Sequence, residues 1–257
     1  MKVLCVGDVV GRIGCRYLAE HLPALKASYG AEVVIINGEN SSQANGISPG
    51  SAQRLFDAGA DIITTGNHAF RRKEIFEYFE EHDNLLRPAN YPSGTFGRGW
   101  FTLDMGRTAI TVINLMGVVF MENLKNPFEC IDELLKQSMA KVIVLDFHGE
   151  ATSEKIAMAN YLDGRISAMF GTHTHVQTAD ARIFPKGMGY ITDVGMTGPI
   201  HSVLGVKPEL AVRRLKSMMP VHFEVADGEC MINAVLFDIN EQTGATTNVQ
   251  TICFSKN

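Results

Sequence analysis

Five times over, the chain sets a short run of aliphatic and β-branched residues just ahead of a polar cluster, and that repetition constrains the fold more than any other feature. The runs are KVLCV (2–6), EVVIIN (32–37), DIITT (61–65), KVIVLDF (141–147) and ISAMFG (166–171). They are apolar nearly throughout, as parallel strands covered on both faces must be. Helical patterns separate them: Cys15 to Ala27, SAQRLFDAG (51–59) ended by Gly59, RKEIFEYFEEH (72–82), and SEKIAMANYL (153–162) with Ser153 as its N-cap. Strands alternating with helices predict an α/β fold.

The stretch WFTLDMGRTAITVINL (100–115) reads as a hairpin turning at Met105 and Gly106. The C-terminal third reads as antiparallel strands turning at Asp227-Gly228 and at Thr243-Gly244. The expected architecture is therefore two facing mixed β-sheets flanked by helices. With no linker, repeat or low-complexity segment, residues 1–257 are expected to form a single domain.

Each buried run delivers polar groups where it ends. Asp8 follows the first, Glu39 and Asn40 the second, Asn67 and His68 the third, His148 the fourth, and His173 and His175 the fifth. The carboxyl ends of parallel strands open onto the ligand crevice of an α/β sheet. In an extended segment, His173 and His175 would face one spot, since residues i and i+2 share a side. Taken singly, Asp8 and Asn67 read as helix caps, Glu39 as a solvated loop carboxylate and His148 as a core histidine. Taken together, carboxylate, amide and imidazole converging on one edge are the donor set for Zn, Mn or Fe, with no local cysteine to suggest a structural zinc knot. Seven candidate ligands (Asp8, Glu39, Asn40, Asn67, His148, His173, His175) exceed the needs of one open catalytic ion, and two ions sharing Glu39 would use them all.

A net charge of −5 gives no global basic footprint, so nucleic acid is not expected as a stable partner. The five cysteines are scattered, odd in number and without a C-x-x-C pair, which predicts reduced thiols in a cytoplasmic protein. The N-terminus runs straight into a strand pattern, and no apolar run is long enough for a membrane span, so neither a leader nor a membrane is expected. The apolar content suits a homo-oligomer and equally a monomer with a large core.

The motifs GDVVG, GEN, GNH, DFHGE and GTHTH, in this order, resemble the calcineurin-like metallophosphoesterase superfamily. More closely, with ATSEK and HTHVQTADARI, the chain is similar over almost its whole length to the YmdB family of di-metal 2′,3′-cyclic-nucleotide phosphodiesterases. Two departures from the wider superfamily belong to that subfamily: Val10 stands where a histidine is usual, and Glu39 replaces a bridging aspartate. The resemblance implies one iron or manganese ion (zinc as the further option) on Asp8, Glu39, Asn40 and His175, and another on Glu39, Asn67, His148 and His173. It implies His68 as general acid, with a second-sphere role that only orients a ligand as the alternative.

The implied reaction is in-line attack on a small phosphoester or cyclic-nucleotide substrate by a hydroxide bridging the metals, with no covalent intermediate. No P-loop, G-x-S-x-G or G-x-G-x-x-G pattern competes with it. Two rivals use the same pocket: a broad phosphomonoesterase or nucleotidase, and a regulatory nucleotide-binding protein with slow turnover. Arg12 and Arg71 are placed to reach substrate phosphate, Arg72 and Lys73 read as a solvated helix face, and the 41–50 loop and His201 are candidate rims of the pocket.

Overall fold

The computed structural model describes residues 1–43, 45–137 and 139–256. The first sheet comprises β1 (Lys2–Val6), β2 (Asp8–Val9), β3 (Val33–Asn37), β4 (Ile62–Thr64), β11 (Met196–Pro199), β12 (Cys230–Ile239) and β13 (Thr246–Ser255). Its order is β2-β11-β12-β1-β3-β4, with β13 along β12. Here β1, β3 and β4 are parallel, while β12 runs antiparallel to β1, β11 and β13. The second sheet has the order β5 (Trp100–Asp104), β6 (Ala109–Met116), β7 (Val142–His148), β8 (Ala168–Thr172), β10 (Gly189–Ile191) and β9 (Arg182–Ile183). Its four central strands are parallel and its edge strands antiparallel.

Side-chain alternation along these strands sorts the core into three apolar layers. Val3, Cys5, Val33 and Ile35 meet Val112, Val144, Ala168 and Phe170 between the sheets. On the outer face of the first sheet, Leu4, Val6, Val34 and Ile36 pack on Leu18 and Leu22 of α1 (Gly11–Tyr29) and on Ala52 and Leu55 of α2 (Pro49–Asp57). On the outer face of the second, Ile113, Leu145 and Met169 pack on Ile131 of α4 (Pro127–Leu134) and on Met158 and Leu162 of α5 (Thr152–Leu162). Each such side chain contributes roughly 1.5–3 kcal/mol by leaving water. The two facing mixed sheets with helices outside are thus as expected, and so are the turns at Gly106 and Gly244.

Several boundaries differ from expectation. α1 starts at Gly11 rather than Cys15, because Gly11 takes φ +64° and turns the chain directly out of β2. The 72–82 helix is a 3₁₀ turn (Lys73–Ile75) followed by only α3 (Phe76–Glu81). Ser153 lies inside α5, whose N-cap is Ala151. The stretch before Asp227-Gly228 is no strand. After α6 (Pro208–Ser217) it makes one isolated bridge, Val206 to Val225, and its backbone bonds go to Gly205 and Lys207 rather than to a sheet. Among the described residues no helix is long and apolar enough to cross a membrane, and Cys5, Cys15, Cys130, Cys230 and Cys253 are free thiols.

Close backbone approach fixes where the strands end. A Cβ at Gly171 would lie 1.8 Å from the Thr192 carbonyl oxygen, between β8 and the end of β10. Gly171→Ala is therefore expected to cost at least about 2 kcal/mol by forcing these chains apart, read as a lowered denaturation midpoint with an unchanged m-value.

Candidate functional site

The carboxyl edges of both sheets open on the same place, so the donors come from β1–β4 on one side and β7–β8 on the other. All eight residues singled out from the sequence meet there. Glu39 is 1% exposed and lies at the centre. Its Oε1 is 3.3 Å from His148 Nε2, 3.7 Å from His68 Nδ1 and accepts from Asn40 Nδ2 at 3.0 Å; its Oε2 accepts from the His68 amide at 3.1 Å. His148 Nε2 lies 3.0 Å from Asn67 Oδ1 and 3.1 Å from His173 Nδ1. On the other flank, His175 Nε2 is 3.3 Å from Asn40 Nδ2 and 3.7 Å from Asp8 Oδ1. Donor atoms of Glu39, His148 and His173 all lie within 4.8 Å of one another.

The loop carrying the two histidines is not extended. His173 has φ +99° and His175 φ +66°, a region that side chains other than glycine enter only when their surroundings impose it. What imposes it is a buried ion pair that sequence reading missed. Lys155 Nζ of α5, fully buried, donates to the Thr172 carbonyl at 2.8 Å and to Asp193 Oδ2 at 2.7 Å. The same Asp193 oxygen accepts from the Thr174 amide at 3.0 Å. Asp8 Oδ2 takes the His173 amide at 3.2 Å, and the Leu204 carbonyl orients His175 through Nδ1 at 3.0 Å.

Beneath the donors lies a second feature not read from the sequence. Alternation carries the inter-sheet face from Val142 and Val144 to Asp146 and His148, and from Val33 and Ile35 to Asn37. The buried Asp146 carboxylate accepts from Thr64 Oγ1 at 2.5 Å, Thr172 Oγ1 at 2.7 Å and Asn37 Nδ2 at 3.1 Å. Thr172 Oγ1 in turn holds His148 Nδ1 at 2.9 Å, which points Nε2 at Glu39. The signal available was an aspartate inside an otherwise apolar run.

Burial and neighbouring charge set the protonation of these groups. Burial pushes the Asp146 carboxyl up to about 6, and raises Asp8 against the pull of His175 and His148. Burial also works to raise Glu39, but the His148 and His68 imidazoles outweigh it and bring it down to about 2. Burial works to lower His148, and Glu39, Asp8 and Asp146 overcome it, lifting it to about 9. His173 falls to about 3 through burial and the adjacent His148, and burial also lowers His68. A proton on His148 Nε2, ringed by Glu39, Asn67 and His173, thus occupies the centre of the cluster.

Asp8 Oδ1 is buried without a hydrogen-bond partner. An orphaned carboxylate oxygen facing an imidazole nitrogen is what a cation would satisfy, so these residues fit a metal. Asn40 presents Nδ2 to Glu39 and His175 and Oδ1 to His68 Nδ1 (3.0 Å), so ligation through oxygen requires a half-turn of its amide.

Of the basic residues, Arg71 lies close enough to His68 to bear on it electrostatically, while Arg12 and Arg72 are engaged elsewhere. Arg12 lines a separate groove of about 1130 Å³ between α1, α2 and residues 222–227, which takes in none of the eight. Arg72 is no solvated bystander: its guanidinium donates to the Gln43 and Asn45 carbonyls and so tethers the loop after Asn40. Residue 44 of that loop lies outside the described residues. His201 is exposed and makes no hydrogen bond to the eight among the described residues.

Fold and donors together define an α/β two-sheet protein with a buried carboxylate, amide and imidazole centre at the shared strand edge. The chain belongs to the YmdB-like protein family, whose model matches residues 4–252. It is 45% identical over 254 residues to the Bacillus subtilis (strain 168) 2′,3′-cyclic-nucleotide 2′-phosphodiesterase, covering 98% of this chain and 96% of that one. A hypothetical protein from Thermus thermophilus has a similar crystal structure, with a TM-score of 0.94, 39% identity and full coverage of both chains. A novel phosphatase from Mycoplasma pneumoniae gives a TM-score of 0.94 at 35% identity, over 99% of this chain and 93% of that one.

Lys155→Met would strand Asp193 as a buried unpaired charge and release the Thr172 carbonyl. We expect a loss of about 3–5 kcal/mol by chemical denaturation. Lys155→Met with Asp193→Leu is expected to recover much of it, while the 173–175 loop loses its anchor.

Proposed function

We propose that the chain is a phosphodiesterase that opens 2′,3′-cyclic nucleotides. The observation that carries this reading is the unpartnered, buried Asp8 oxygen within a cluster of seven nitrogen and oxygen donors, in a chain 45% identical to a phosphodiesterase of that class. Asp8, Glu39, Asn40 and His175 would hold one ion and Glu39, Asn67, His148 and His173 a second, iron or manganese being the best match to this oxygen-and-imidazole set. When bound, such ions supply Lewis acidity to the phosphoryl oxygens and acidify the attacking water.

The chain's own residues do the rest. His68 keeps Nδ1 against Asn40 and Glu39, leaving Nε2 without a partner among the described residues. As the imidazolium, it gives the Nε2 proton to the ribose 2′ oxygen when the P–O2′ bond breaks, and the product is the nucleoside 3′-phosphate. Glu39 favours that charged form and holds the residue in place through its amide and Nδ1. Asp146, through Thr172, holds His148 in the orientation that ligation needs. Residues 1–257 form one domain in this reading, since a single apolar layer is shared by the two sheets and each outer face is covered by its own helices. The free, mostly buried thiols favour a cytoplasmic setting.

His68→Ala in protein reconstituted with manganese is expected to lower kcat on 2′,3′-cyclic AMP by about 10²–10⁴, and Glu39→Gln to abolish turnover. A parent that leaves cyclic AMP intact but cleaves a simple monoester would favour the monoesterase reading, consistent with the relative described as a phosphatase. Because His148 near 9 must shed its proton to ligate, manganese affinity is expected to fall as pH drops from 9 toward 6. Calorimetry in buffers of different ionisation enthalpy should show proton release at pH 7; affinity independent of pH would refute the assignment of His148.

A further inference from the structure

A sixth strand end reaches the same edge, and the functional reading above makes no use of it. β6 stops at Met116, in register with His148, and the chain leaves through Gly117, whose amide donates to the His148 carbonyl at 2.9 Å. The next two amides, of Val118 and Val119, clamp the Glu154 carboxylate at 3.0 and 3.2 Å. Glu154 is itself buried in the first turn of α5. The Met121 amide closes the turn on the Val118 carbonyl at 3.3 Å. The loop is therefore fixed to two elements of the site before it reaches its tip.

Phe120 is at that tip, with φ +63° and 89% of its surface exposed. Both properties are unfavourable: a bulky side chain resists the left-handed region, and a phenyl ring in water forgoes its burial. Among the described residues no aromatic ring packs on it. A rigid mount that holds an aromatic ring into solvent is how a protein presents a flat surface to a ligand. The loop leaves β6 at the donor edge, beside His148, and Glu122, two residues past the tip, lies close enough to bear electrostatically on His68 and Tyr91.

We infer that Phe120 is the platform on which the substrate's nucleobase stacks while its cyclic phosphate lies against the donor cluster. This inference rests on the proposed nucleotide substrate. Every base has a π-face, so stacking on a phenyl ring gives affinity with little base selectivity. The pocket then recognises a nucleoside phosphate at two points: phosphate at the donors, and base at the loop after β6.

The test pairs 2′,3′-cyclic AMP with 1-O-methylribose 2′,3′-cyclic phosphate, which lacks a base. Phe120→Ala is expected to raise KM for cyclic AMP about tenfold or more, with the loss on KM rather than kcat and no effect on the baseless compound. Phe120→Trp should restore the parent KM. Equal loss on both compounds, or no loss on either, would overturn the inference. Independently of turnover, the indole introduced by Phe120→Trp should be quenched by cyclic AMP, with the chain's single native tryptophan, Trp100, subtracted using the parent protein. Absence of quenching would refute the platform. Emission that changes on dilution and not with nucleotide would place a second copy of the chain on the ring, and would refute it too. A parent that binds and quenches but does not hydrolyse would leave the platform standing and overturn the proposed activity instead.

Discussion

Asp146 holds the two sheets together at the end where the chemistry lies. Its carboxylate takes hydrogen bonds from Asn37 and Thr64 in one sheet and from Thr172 in the other, beside a layer that is otherwise apolar and rich in Val, Ile and Phe. A buried carboxylate is tolerated only if its lone pairs are satisfied, and here satisfying them requires both sheets to be in register. The register places His148 above Thr172 and Glu39 above Asn37, so the spacing of the donors is inherited from the inter-sheet layer.

Above that layer the polar groups are arranged for a cation. Glu39 is flanked by four nitrogen donors, and Asp8 retains an unpartnered oxygen. The loop beyond β8 is locked from below by Lys155 and Asp193, so His173 and His175 keep a backbone shape they would not choose alone. Strain at the site is thus offset by a buried charge pair one layer deeper.

Much of this was legible in the sequence because each donor follows an apolar run. Position after a strand identified Asp8, Glu39, Asn40, Asn67, His68, His148, His173 and His175, and turn glycines identified the hairpins at Gly106 and Gly244. What stayed hidden belongs to residues whose role depends on partners distant in the chain. Lys155 looks like a helix-surface charge until its reach to Asp193 is seen, and Asp146 looks like an interruption until alternation is combined with sheet pairing. The backbone of His173 and His175 was misread because extended geometry was assumed beyond the last ladder bond of β8. Arg12 was misplaced because nearness in sequence to Asp8 says nothing about which side of α1 its side chain occupies.

The order of strands in the first sheet has a consequence for how the protein is made. β12, from the last thirty or so residues, lies between β1 and β13, and β11 pairs with β2. Every donor has left the ribosome well before β12 does, yet β1, which aims Asp8, gains its second neighbour only when β12 arrives. Such sequence-distant pairing is slow, since loop closure must precede its reward. The nascent chain therefore carries all eight side chains of the candidate site before it has the sheet that spaces them. The spacing of the centre thus depends on a hairpin that contributes no atom to it.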